Sequence, residues 1–207
     1  MNCILCESGS KRLLTDRIGT YYDCPVCRGA FLSPEDHPTP EAERARYLEH
    51  NNDIHDERYQ DFVSPIVDAV TESFTPKHKG LDYGCGTGPV ISHLLSKENY
   101  SLDRYDPFFN ADSKVFGRQY DFIVACEVIE HFHNPREEFA RLRNMLNRGG
   151  KFLVMTEPLM PSTNFADWYY KNDQTHVFFY RPETFEYIRE TFHFDRCSVK
   201  GRLIELS

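Results

Sequence analysis

The nine residues GLDYGCGTG, positions 80–88, constrain this chain most tightly. A tetrapeptide that reads as a buried strand, GLDY, runs into glycines at 84, 86 and 88. Pro89 then opens PVISHLLSKE, whose apolar residues at 90, 91, 94 and 95 share a helical face. Glycine is a poor strand and helix former, so three in five positions signal another demand: backbone angles closed to other residues, or close approach to a ligand. In an open α/β sheet that demand arises beyond the carboxyl ends of the strands, beside the first strand. A dinucleotide fingerprint, GxGxxG, would set its third glycine where Pro89 stands. The spacing therefore predicts a nucleotide-like ligand that does not present a pyrophosphate.

The flanks carry the same alternation of strand and helix. DFVSPIVDAVTESF has helical apolar spacing, with Pro65 expected near its first turn. SLDRYD reads as a strand, and YDFIVACEVIEH opens with the apolar run of a buried parallel strand. NPREEFARLRNMLNRGG is an amphipathic helix with Asn134 as N-cap, Pro135 at N1 and Gly149 as C-cap. KFLVMTEP is a strand, RPETFEYIRE a helix, and FDRCSVKGRLIELS a hairpin turning at Lys200-Gly201. The expected fold is α/β: a doubly wound, Rossmann-like, mostly parallel sheet that ends in an antiparallel hairpin.

Ahead of this region stand two cysteine pairs, Cys3-x2-Cys6 and Cys24-x2-Cys27, 17 residues apart. That spacing reads as a four-thiolate zinc site. A redox CxxC is the rival, but it needs only one pair. Four protein ligands leave no open position, so zinc here would be a structural staple for a segment too short to build its own core. Residues 1–33 are thus predicted as a small zinc ribbon, 34–59 as a linker with a connecting helix (EAERARYLEHNN), and 60–207 as the main α/β domain. The ribbon offers no basic face: residues 1–50 hold six Lys/Arg against eight Asp/Glu. A formal net charge of −8 argues against nucleic acid as the partner. MNCILCESGS lacks a signal-peptide pattern and no run approaches 18 apolar residues, so the expectation is a cytoplasmic protein that does not enter a membrane.

Asp106, in RYDP, lies 22 residues after Gly84 at the expected end of the second strand, where a carboxylate can accept bonds from a ribose diol. DYGCGTG, YDP, YDFIVACEVIEHFHNP and LNRGGKFLVMTEP, in this order, resemble the successive motifs of class I S-adenosylmethionine-dependent methyltransferases. The resemblance covers residues 60–207, and the terminal hairpin is similar to that family's closing antiparallel strand. It implies that Asp82 lies near the methionine amino group and that Gly84, Cys85, Gly86 and Gly88 line the amino-acid moiety. It further implies that Asp106 holds the ribose and that Glu127 sits beside the cofactor at the end of the fourth strand. The CxxC…CxxC preface and QTHVFFYRPETF resemble a subset acting on small molecules, including sugar and quinone-pathway methyltransferases. The implied cofactors are S-adenosylmethionine and a structural zinc, and the implied partner is a small-molecule acceptor.

One departure is expected. Only 14 residues separate Asp106 from Asp121, whereas a helix, a third strand and turns need roughly 20. The sheet should be abbreviated between its second and fourth strands, with Phe108 or Phe109 available to stack on adenine. Methyl transfer from a sulfonium needs mainly in-line positioning, and a base only where the acceptor must lose a proton. His131 and His176 are the catalytic candidates, with His133 behind them. NFADWYYKND reads as a packed helix or a substrate lid. The alternatives are an RNA or protein methyltransferase that uses the ribbon for recognition, and a non-catalytic cofactor-binding partner.

Overall fold

The computed structural model describes residues 1–49 and 52–207. The central sheet is built by β4 (Gly80–Tyr83), β5 (Leu102–Tyr105), β6 (Tyr120–Cys126), β7 (Leu146–Met155), β9 (Cys197–Lys200) and β10 (Leu203–Leu206). Their order across the sheet is β5-β4-β6-β7-β10-β9. The first four strands run parallel, and β10 enters antiparallel between β7 and β9. This is a Rossmann-like, parallel-rich sheet with an antiparallel finish. The hairpin turns at Gly201, whose φ of +61° fits the tight reversal.

Strand alternation assigns each side chain to one of two cores. Phe122 and Val124 of β6 and Leu153 and Met155 of β7 face α2 (Glu57–Ser73) and α3 (Val90–Lys97). Ile123, Ala125, Phe152 and Val154 face the other way, onto α4 (Pro135–Asn144) and α5 (Pro182–Thr191). Helices on both faces bury the middle of β6 and the end of β7, which is why residues 122–125 and 152–155 read as continuous apolar runs.

Three local expectations need correction. The helix expected from residue 61 begins at Glu57, because Asp56 accepts from the Arg58 amide and caps it there. Pro65 therefore lies inside α2 rather than in its first turn. Likewise α4 stops at Asn144 and Gly149 is not its cap: Leu146 already pairs with Tyr120, and Gly149, at φ +76°, turns the chain within the early part of β7. Between β5 and β6 the chain makes a five-residue 3-10 turn, Ser113–Gly117, and β5 forms the sheet edge.

The N-terminal segment forms a second sheet from β1 (Lys11–Thr15), β2 (Thr20–Asp23) and β3 (Ala30–Leu32). Its fourth strand, β8 (Phe178–Phe179), comes from the far end of the chain and pairs with β3. One face of this sheet joins the α4/α5 core through Phe31 and Phe178. The other buries Tyr21, Leu32 and Phe179 against Phe165, Trp168 and Tyr170. NFADWYYKND is thus not a regular helix: it makes two 3-10 turns that pack on the N-terminal sheet, with Tyr169 63% exposed. The connecting helix, α1, spans Pro40–Leu48, and positions 50 and 51 of the expected EAERARYLEHNN helix lie outside the described residues. No helix among the described residues is long and apolar enough to cross a membrane.

Phe139 of α4 is fully buried and meets Phe132, Phe152, Tyr180 and Phe192. Phe139→Ala is expected to destabilise the protein by about 3–5 kcal/mol in urea unfolding, the ordinary loss for a buried Phe truncated to Ala.

Candidate functional site

A cavity of about 580 Å³ opens at the carboxyl ends of β4, β5 and β6. Its floor is the glycine loop. The amides of Gly84 and Cys85 both donate to the Tyr105 carbonyl, pinning the loop to the end of β5. Gly84 has φ +77°, and a Cβ there would lie 2.4 Å from Val128, so neither the angle nor the space admits a side chain. At Gly88 a Cβ would meet the Asn52 carbonyl oxygen at 1.6 Å. The segment leading into α2 runs that closely over the loop.

Asp82 is 3% exposed at the end of β4 and accepts from Ser92 Oγ at 2.7 Å. Burial pushes its carboxyl up from 3.8 to about 6. The Asp106 carboxylate accepts the amides of Gly86, Phe108 and Phe109 at 3.0, 2.8 and 3.0 Å. It therefore braces the glycine loop against the following turn. A carboxylate offers about four acceptor positions, which leaves capacity for one further donor. Phe108 faces the cavity beside Tyr47, 5.6 Å between ring centroids.

The opposite wall comes from EVIEH. Glu127 follows β6 in a left-handed conformation, φ +53°, an uncommon geometry for a non-glycine residue and one that clusters at functional sites. The 3-10 turn Ile129–His131 then rotates Glu130 inward, fully buried, and leaves His131 on the cavity side. Glu127 accepts from Arg202 at 2.6 Å, and Glu130 accepts from Thr156 Oγ1 at 3.0 Å. The Tyr170 hydroxyl sits between the two, bonded to Glu130 and 3.2 Å from Glu127 Oε2. Burial pushes both carboxyls up to about 7. Burial also lowers the His131 pKa and so favours the neutral ring, whose Nδ1 lies 2.8 Å from the Thr175 carbonyl. His176 Nδ1 lies 2.7 Å from the Tyr170 carbonyl, and the two imidazoles are 4.8 Å apart.

Asp82, Gly84, Cys85, Gly86, Gly88, Asp106, Phe108, Glu127, His131 and His176 thus all border one cavity. His133 also borders it, but its Nε2 contacts Glu43 at 3.1 Å and so ties down α1. The cysteines stand apart. Sulfur atoms of Cys3, Cys6, Cys24 and Cys27 all lie within 4.8 Å of one another, with no disulfide. Each pair sits in a matching knuckle, closed by Glu7 N to Cys3 O and Arg28 N to Cys24 O, with φ near +60° at Glu7 and Arg28.

Several contributors escaped the sequence reading. α1 roofs the cavity with Glu43, Arg46 and Tyr47, and Arg46 pairs with Asp173 at 2.8 Å. Behind that pair lies a second cavity of about 530 Å³, which shares Arg46, Asp173 and His176 with the first. Tyr170, Thr156 and Arg202 reach the site from distant loops and left no local signature. Glu130 did leave one: a second Glu three residues after Glu127, beside a His, just where a strand ends.

An uncompensated buried carboxylate costs stability. Asp82 holds its proton more tightly folded than unfolded, so the protein loses stability as pH rises from about 4 to about 6. In the ligand-free protein, Asp82→Asn is expected to stabilise by about 1–3 kcal/mol at pH 8, the gain vanishing near pH 4. Urea unfolding at the two pH values checks this.

A family model described as a methyltransferase domain matches residues 48–196. No curated protein matches the chain in sequence. Among solved structures, an O-methyltransferase family protein from Burkholderia thailandensis is similar at TM-score 0.54 and 16% identity, over 79% of this chain and 61% of that one. Human N-acetylserotonin methyltransferase, solved with SAM, gives 0.55 and 13% over 82% and 59%. A SAM-dependent methyltransferase from Archaeoglobus fulgidus gives 0.53 and 19% over 67% and 71%. The chain spans about three fifths of the length of the first two, and at these identities the likeness is one of fold. The family model covers well over half of the sequence, and on that ground the chain belongs to the methyltransferase family.

Proposed function

We propose that the protein transfers a methyl group from S-adenosylmethionine to a hydroxyl of a small-molecule acceptor. One observation carries this reading: the glycine loop with its two flanking aspartates shares a single cavity with the Glu127–His131–His176 wall, behind which Glu130 is buried. The donor's sulfonium supplies an electrophilic methyl when bound. Asp82 would take the methionine ammonium, which explains a carboxylate kept buried without a cation. The amides and open backbone of Gly84–Gly88 would lie along the amino-acid part, Asp106 would hold the ribose, and Phe108 would cover the adenine. The opposite wall would hold the acceptor oxygen in line and receive its proton as the O–C bond forms and the C–S bond breaks, sulfur keeping the electron pair.

Size and charge support a compact acceptor. About 580 Å³ falls within the usual range of small-molecule sites, roughly 300–1,000 Å³. The lining carries Glu43, Asp82, Asp106, Glu127, Glu138 and Asp173 against Arg46 and Arg141, a poor match for a polyanion. The four thiolates, clustered without a disulfide, suit a structural zinc.

Calorimetry is expected to show S-adenosylmethionine binding and no binding of a nicotinamide dinucleotide. Asp106→Ala should weaken the former by about 1.5–3 kcal/mol, the range for hydrogen bonds to charged groups. Nicotinamide binding, or unchanged affinity in the variant, contradicts the assignment. Separately, metal analysis should find about one zinc per chain, lost in Cys24→Ser.

A further inference from the structure

We propose that Glu130, His131 and His176 form a binding site for a divalent transition-metal cation at the acceptor end of the cavity, separate from the four-cysteine cluster. One ligand atom from each lies within 4.8 Å of the other two, close enough to share an ion. The backbone also fixes which nitrogen of each ring carries the proton. Nδ1 of His131 faces the Thr175 carbonyl at 2.8 Å, and Nδ1 of His176 faces the Tyr170 carbonyl at 2.7 Å. A carbonyl only accepts, so each ring carries its proton on Nδ1 and its lone pair on Nε2. A backbone acceptor that fixes the tautomer in this way is the usual outer support of a metal-bound histidine.

Charge points the same way. Glu130 is fully buried, yet its oxygen partners are two neutral hydroxyls, those of Thr156 and Tyr170. The neighbouring guanidinium, Arg202, is spent on Glu127 and Glu157, at 2.6 Å each. Asp173, which also borders this wall, is already matched with Arg46, and Glu43 is in contact with His133 Nε2 at 3.1 Å. A buried carboxylate is normally paired or bound to a metal. Two imidazoles and one carboxylate suit Mn²⁺, Fe²⁺, Co²⁺ or Zn²⁺ better than Mg²⁺ or Ca²⁺, which favour all-oxygen shells. Three protein ligands leave positions open, and His131 and His176 border the cavity, so those positions face the proposed acceptor. A hydroxyl bound there would be oriented and made more acidic. That use rests on the methyl-transfer reading, whereas the cation site rests on the side chains alone.

Mn²⁺ is the discriminating probe because it disfavours the soft thiolate cluster. In the full-length, zinc-replete protein, loss of the free Mn²⁺ signal in electron paramagnetic resonance should report one site per chain. Nitrogen couplings from imidazole in the spin-echo spectrum of bound Mn²⁺ should identify the ligands without recourse to a variant. Glu130→Gln and His176→Gln should each weaken Mn²⁺ by at least about tenfold, while Cys24→Ser should not. Free Mn²⁺ in the presence of wild-type protein, bound Mn²⁺ without imidazole nitrogen, or unchanged affinity in both wall variants overturns the proposal. S-adenosylhomocysteine titrated into the same samples reports separately on the methyl-transfer reading.

Discussion

Val177 ties the turn after β6 to the N-terminal sheet. Its amide donates to the Glu130 carbonyl at 2.8 Å, and its own carbonyl accepts the Leu32 amide at 2.9 Å. One residue thus ties the turn carrying Glu130 and His131 to the last residue of β3, and the residue before it is His176. Buried backbone groups rarely go unpaired, so slipping this register would orphan both partners at once. The cysteine cluster lies upstream of the same clamp, since its two knuckles hold the strands that end in β3. The cysteine cluster, which lines no part of the cavity, therefore has a short covalent and hydrogen-bonded route to the residues that do.

Beyond the clamp, the site is organised around charge that folding alone would not keep. Asp82, Glu127 and Glu130 are withdrawn from water, and burial raises all three carboxyl pKa values. Arg202 offsets part of this from the β9–β10 turn, its guanidinium lying 5.1 Å from the Phe62 ring centroid while it reaches Glu127 and Glu157. Such residues destabilise the ligand-free fold, and Asp82 and Glu127 in one cavity, with Glu130 behind its wall, point to ligands more strongly than the cavity's size does. Glu127 adds backbone strain to the same spot.

Much of this could be read from the sequence, for identifiable reasons. The glycine loop, Asp106 and the order of strands and helices are local patterns fixed by backbone sterics and by side-chain period. The roof over the cavity was not legible. Nothing in PEAERARYL distinguishes a connecting helix from one whose Glu43, Arg46 and Tyr47 face a ligand site, because His133 and Asp173, which hold it there, are 90 and 127 residues away. The role of Tyr170 was hidden for the same reason: its ring lines the N-terminal sheet, and its hydroxyl extends from that lining to Glu130, 40 residues away. The early end of α4 likewise followed from a distant pairing, Leu146 with Tyr120.

The central claim is that the cavity between the glycine loop and the EVIEH turn is a methyl donor's site with the acceptor wall at its far end. A crystal structure with S-adenosylhomocysteine bound tests it most directly. The account predicts the amino-acid moiety along Gly84–Gly88 with its amine at Asp82, the ribose at Asp106, and the sulfur turned toward Glu127, His131 and His176. A ligand bound elsewhere, or held with its sulfur turned away from that wall, would contradict it.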